Sequence, residues 1–140
     1  MSSRGLFIVF EGCDGTGKTT MIQRLQHVLE QQGLEVVSTR EPGGTPIGER
    51  IRDVLLDRRN EAMCMRTEAL LYAASRAQIV DQVIEPALAD GKAVICQRYF
   101  YSSVAYQGVA GGLGDFVRSL NAWATDSLLP DLVILLDMDP

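Results

Sequence analysis

Residues Glu11-Gly12-Cys13-Asp14-Gly15-Thr16-Gly17-Lys18-Thr19-Thr20 follow the apolar run Leu6 to Phe10. Gly12, Gly17, Lys18 and Thr19 fill the pattern G-x-x-x-x-G-K-[ST]. These residue types suit one ligand class. Glycines at 12, 15 and 17 let the backbone turn tightly with its N–H groups facing inward, where they can cradle a di- or triphosphate. A helix starting near Lys18 adds the positive end of its dipole. Lys18 supplies a mobile cation for the outer phosphates, and the Thr19 hydroxyl can ligate Mg²⁺. Residues Gly12, Cys13, Asp14, Gly15, Thr16, Gly17, Lys18, Thr19 and Thr20 are therefore the candidate nucleotide loop. A Gly-rich turn without chemistry is the competing reading; placement between a strand and an amphipathic helix favours the phosphate loop. Asp14 is poorly suited to hold phosphate, because like charges repel. It fits better facing a sugar hydroxyl, or water on Mg²⁺, on the acceptor side.

Three further constellations could serve that acceptor. In Arg40-Glu41-Pro42-Gly43-Gly44 the proline and glycines fix a tight turn, from which Arg40 can aim its planar fork at a phosphate. A surface turn with a local Arg–Glu pair is an equal alternative. Arg52, on the next helix, is a possible phosphate contact or a solvated side chain. Tyr72 and Arg76 share a helix face. A ring beside a guanidinium suits a planar heterocycle, although on residue types alone a half-buried Tyr with an Arg packed along it is the plainer reading. Gln97-Arg98-Tyr99-Phe100-Tyr101-Ser102-Ser103 adds Arg98 as a phosphate candidate. Tyr106 and Gln107 follow one turn after Ser103, and a Gln amide can read the donor–acceptor edge of a pyrimidine. Against this stands a helix N-cap at Ser102 or Ser103 followed by core aromatics. His27, the only histidine, is expected to be structural or exposed.

The elements that must position these groups are legible in the hydrophobic pattern. Residues 6–11 predict a buried parallel strand closed by glycine. Met21, Ile22, Leu25, Val28 and Leu29 predict a helix over 18–32, capped by Gly33. Residues 34–39 read as a second strand and 46–57 as a helix with Ile47, Ile51, Val54 and Leu55 on one side. A long helix is expected from Thr67 to Ala89, with Ala69, Leu70, Ala73, Ala74, Ala77 and Val80 on its buried face and a kink or break at Pro86. Ala93 to Cys96 gives a third strand, 102–110 and 114–128 two helices around a Gly-rich turn, and Asp131 to Asp137 a fourth, central-looking strand. Strands alternating with helices predict an α/β fold: a doubly wound parallel sheet with helices on both faces. Ligands bind such sheets at the carboxyl ends of the strands. A single domain over 1–140 is expected. Stopping at Pro140, directly after the fourth strand, suggests a piece of a longer chain.

Bulk properties agree. The formal net charge of −5 argues against a nucleic-acid grip built on basicity. Cys13, Cys64 and Cys96 show neither metal-ligand spacing nor a disulfide framework, which fits a reducing cytosol. Met1 to Gly5 carry no signal-peptide pattern, and no apolar run is long enough to span a membrane.

Taken in order, Phe-Glu-Gly-x-Asp-Gly-x-Gly-Lys-Thr-Thr, Arg-Glu-Pro-Gly-Gly-Thr, Leu-Leu-Tyr-Ala-Ala-Ser-Arg-Ala-Gln, Arg-Tyr-x-x-Ser-Ser-x-Ala-Tyr-Gln-Gly and Pro-Asp-Leu-x-Ile-Leu-Leu-Asp-x-x-Pro resemble bacterial thymidylate kinases over essentially the whole length. The resemblance implies a P-loop nucleotide kinase that phosphorylates dTMP to dTDP with ATP-Mg²⁺, a cytoplasmic location, and a homodimer packed through long helices. Lys18 and Thr19 would serve the ATP phosphates and Mg²⁺, and Lys18, Arg98 and Asp14 would be the catalytic set. Asp14 would face the sugar 3′-hydroxyl. Arg40, Arg52 and Arg98 would surround the acceptor phosphate, beside Pro42. Tyr72 would stack on thymine, Arg76, Ser103 and Gln107 would contact the base edge, and Tyr106 would disfavour a ribose 2′-hydroxyl. For Tyr72 and Arg76 this reverses the plainer reading. The family usually carries an Asp where this chain has Gln97; the amide keeps an acceptor oxygen but loses the charge. The family also continues past Pro140 with an Arg-bearing lid and the remaining adenine-site residues, so the chain as given is expected to be weak or inactive as a kinase. A P-loop kinase for another deoxynucleotide and a catalytically impaired, regulatory nucleotide-binding paralogue are the alternatives.

Overall fold

The computed structural model describes residues 4–13, 15 and 17–137; Asp14 and Thr16 lie outside the described residues. Four strands, β1 (Phe7–Glu11), β2 (Val36–Arg40), β3 (Ala93–Gln97) and β4 (Leu132–Leu135), form one parallel sheet in the order β2-β3-β1-β4. Successive side chains of β1 point to opposite faces, as a strand requires. Phe7 and Val9 join Val94, Cys96, Tyr99 and Leu128 in one core cluster, which the long helix covers through Ile79, Val80, Ile84 and Leu88. Ile8 and Phe10 join Ile95 and Ile22 in the other, with Leu25 and Leu29 of α1 (Lys18–Gln31) packed against it. The sheet is thus covered by helices on both faces, which accounts for the continuous apolar runs of β1 and β3.

Local chemistry sets the remaining elements. Helix α2 (Pro46–Leu56) begins where Thr45 Oγ1 accepts from Gly48 N at 2.8 Å, with Pro46 in the first turn, where its missing N–H is harmless. Helix α3 (Met65–Ile79) runs into a wider π stretch, Val80–Ile84, and then α4 (Glu85–Ala89). The expected disturbance at Pro86 therefore takes the form of a widened turn just before it, in a continuous helical run. Past β3 come a single turn, α5 (Phe100–Ser103), a second π stretch, Val104–Ala110, and α6 (Phe116–Ala124).

Several side chains depart from the sequence expectation. Leu70, 54% exposed, points away from the core, as do Ile47 and Val54. Strand β4, read as central in a sheet expected to continue beyond it, pairs only with β1 among the described residues, and Leu132 is 50% and Leu135 69% exposed. An apolar run reports what a strand can bury; it does not report which neighbours cover it.

Candidate active site

Parallel strands bring the ends of β1, β2 and β3 to one edge, where backbone hydrogen bonds lace them together. Arg98 N donates to Phe10 O at 2.8 Å and Glu41 N to Gln97 O at 2.9 Å. From this edge, Gly12, Gly15 and Gly17 take φ values of 138°, 80° and 84°, a left-handed region that side chains with a Cβ avoid. The loop they make delivers the chain to α1, whose N-cap is Gly17, with no side chain capping the first turn. Lys18 is buried and its Nζ donates to the Gly12 carbonyl across the loop. Gly15, Gly17, Lys18, Thr19 and Gln97 line a cleft at this point. Cys13 and Thr20 are exposed beside it. The roles expected of Asp14 and Thr16 lie outside the described residues.

A second cleft adjoins the first through Gln97. Arg40, Pro42, Arg52, Tyr72 and Arg98 line it. Arg52 Nη1 donates to Pro42 O at 2.9 Å across a turn whose Glu41–Pro42 peptide is cis. Arg40 pairs with Glu49 of α2 at 3.3 Å rather than with its neighbour Glu41. That pair is about half exposed, so it contributes little to stability. Arg98 turns the chain out of β3 at φ 72°, a strained conformation for a residue with a Cβ. Gly44 is required nearby: at φ 81°, an added Cβ would meet Ile79 Cδ1 at 2.3 Å.

Continuing past Tyr72 and Arg98, a third cleft is lined by Arg76, Ser103, Tyr106 and Gln107. Arg76 is 1% exposed and is the largest fully buried side chain among the described residues. Its Nε donates to both carboxylate oxygens of Glu41, at 3.1 and 2.8 Å. Nη1 donates to Ser103 Oγ at 3.0 Å and to Asn121 Oδ1 at 2.7 Å, and Nη2 to Tyr99 O at 3.2 Å. The guanidinium lies 5.9 Å from the centroid of the Tyr99 ring. Burial raises Glu41, against the pull of Arg76, to about 7. Tyr72 is also raised, by burial and then by the Glu68 carboxylate, while Arg98, Arg76 and Arg52 pull the other way. The Tyr72 hydroxyl thus stays neutral amid three guanidiniums.

Two of the competing readings do not hold. Arg76 does not stack along Tyr72; it packs against Tyr99 and is held in a buried polar network. Ser102 and Ser103 do not cap α5, whose N-cap is Tyr99 without a side-chain bond. Ser102 Oγ donates to Glu11 Oε2 at 2.6 Å instead, and Glu11 Oε1 accepts from Tyr99 N at 2.8 Å. Tyr106 is half exposed at the rim, whereas Gln107 is buried. Sequence reasoning assigned no role to Glu11, Glu41 or Asn121. Glu11 and Glu41 carried a signal, each lying inside a motif at a strand's end; Asn121, midway along α6, carried none. His27 is exposed, as expected.

Comparison with known proteins bears on what these clefts serve. A sequence profile of the thymidylate kinase family matches residues 10–140. The chain is 52% identical over 136 residues to a thymidylate kinase of Finegoldia magna, covering 96% of this chain and 67% of the relative. It is 54% identical over 136 residues to one of Symbiobacterium thermophilum, covering 96% and 64%.

The chain belongs to the thymidylate kinase family.

A thymidylate kinase of Clostridium novyi is 49% identical over 139 residues, covering 99% of this chain and 68% of that relative. The chain therefore spans about two thirds of the length of the thymidylate kinases it matches. The parallel sheet with helices on both faces fits a P-loop nucleotide kinase. No helix among the described residues is long and apolar enough to cross a membrane.

Proposed function

We propose that this chain transfers the γ-phosphoryl group of ATP to the 5′-phosphate of dTMP, giving dTDP. The observation that carries this reading is the continuity of the three clefts. Gln97 is shared by the first two, and Tyr72, Pro42 and Arg98 by the second and third. A triphosphate on the loop and a nucleoside monophosphate along the other two clefts would bring their phosphates together near Gln97.

Such a reaction needs positioning and charge neutralisation more than covalent chemistry. Lys18 serves the donor phosphates, and the forks of Arg40, Arg52 and Arg98 take the acceptor phosphate. That phosphate is already a nucleophile, so a site without histidine is adequate. Mg²⁺, when bound, neutralises the leaving phosphates, and the Thr19 hydroxyl suits this oxygen-seeking cation. Nucleotide phosphates would supply most of its other ligands. Tyr72 stacks on the thymine, Arg76, Ser103 and Gln107 face its edge, Tyr106 crowds a 2′-hydroxyl, and Asp14 is the residue assigned to the sugar 3′-hydroxyl. A cytoplasmic location follows from the substrates and accords with three free cysteines. A homodimer accounts for exposed Leu70, Phe116 and Trp123 on α3 and α6.

Coupled measurement of ADP release tests the reading. ADP formation from ATP that depends on dTMP is expected of the full-length protein; dTMP binding without turnover there would overturn it.

A further inference from the structure

Gln107 is 3% exposed in the wall of the third cleft, and its two amide atoms have different fates. Nε2 donates to Glu68 Oε2 at 3.0 Å. Oε1 is buried with no hydrogen-bond partner, and no other buried side-chain oxygen or nitrogen among the described residues lacks one. A buried acceptor left unsatisfied is costly, so it points to a donor supplied from outside the protein. Which end of the amide faces the cleft is decided by Glu68. A carboxylate only accepts, so it fixes the NH₂ group toward itself and turns the carbonyl to the ligand.

We infer that Glu68 is a positioning residue for base specificity: by orienting the Gln107 amide, it makes the cleft wall demand a ring N–H. This rests on the reading of the cleft as the site of the monophosphate's base. Arg76 in the same wall carries only donors. Donor beside acceptor matches an imide edge, a carbonyl next to an N–H, as in thymine and uracil. Cytosine presents an unprotonated ring nitrogen at the matching place, so two acceptors would meet. Glu68 stands one turn from Tyr72 on α3, and its carboxylate accepts from the Gln107 amide.

The test is a comparison of dTMP, dUMP and dCMP binding by titration calorimetry to the full chain and its variants. Glu68→Gln is isosteric and can donate as well as accept, so it frees the Gln107 amide to flip. The ratio of dCMP to dTMP dissociation constants should fall about tenfold, the scale of one mismatched buried hydrogen bond. In a Gln107→Leu background the same substitution should leave the ratio unchanged. Glu68→Met serves as the second variant should Glu68→Gln fold poorly, with the same expected loss. An unchanged ratio in the single variant, or an equal fall in both backgrounds, overturns the inference. Failure of the unsubstituted chain to prefer dTMP and dUMP over dCMP would instead overturn the reading of the cleft.

Discussion

At the end of β3, an amide side chain lines the junction where two sets of phosphates would meet. Gln97 lines both the loop cleft and the arginine cleft, and a carboxylate there would add a full negative charge beside Thr19. A charged oxygen holds Mg²⁺ better than an amide one. In the full-length protein, Gln97→Asp is therefore expected to raise kcat roughly tenfold, about 1.4 kcal/mol of barrier, in steady-state assays; equal rates would show that the amide costs nothing. Glu41 offers a second test. Its folded value of about 7 lies above the ordinary 4.5, so between these pH values the folded protein keeps a proton that the unfolded chain has lost. This group's contribution to stability is thus fully present below 4.5 and is lost as the pH rises toward 7. The Tm of Glu41→Gln relative to the unsubstituted protein should rise across that window, and a flat difference would refute the shift. The sequence marked Arg98 because it follows an apolar strand, and Gln97 because the resembling family carries an Asp there. It did not mark Glu41 as a buried partner, because a carboxylate in a Pro-Gly turn looks like a surface residue until the guanidinium above it is known.

Among the elements, α3 carries the greatest functional load. Glu68, Tyr72 and Arg76 stand at successive turns and line or shape one cleft. Arg76 also ties four separate segments together, through Glu41 after β2, Tyr99 and Ser103 around α5, and Asn121 in α6. Removing it strands a buried carboxylate. Arg76→Met should destabilise the fold by about 3–5 kcal/mol in denaturant titrations. Arg76→Lys should be milder in stability and still lose dTMP affinity, because a point charge cannot replace the fork. Helical spacing was enough to place Tyr72 and Arg76 on one helix face. It could not show that the guanidinium turns toward Tyr99, since that depends on α5 and α6, distant in sequence. The π stretches before Pro86 and after Ser103 were likewise hidden: the hydrophobic period hardly changes over one widened turn.

For the molecule as a whole, the parallel sheet followed from apolar runs alternating with helices, and the loop at its edge from glycine spacing. Outer surfaces were read less well. Leu70, Ile47 and Val54 fit a core-facing pattern but face outward, and Phe116 and Trp123 join them, with Trp123 82% exposed. Helices α3 and α6 pack on each other, so their exposed apolar side chains belong to one region of the surface. A second copy is the occupant expected there. Trp123→Arg should therefore shift sedimentation toward the monomer while leaving the far-ultraviolet circular dichroism unchanged. A monomer before substitution would remove the argument.

The free side of β4 has a bearing on handling the protein. Leu132 and Leu135 are exposed on a strand whose outer N–H and C=O groups have no ladder partner among the described residues. Such an edge is a template for any extended chain that drifts past it, including a partly unfolded copy of itself. In a chain of these 140 residues, association through this edge is expected to grow with concentration. Dilution, or a lysine introduced along this strand, should protect the protein more than any improvement to its core.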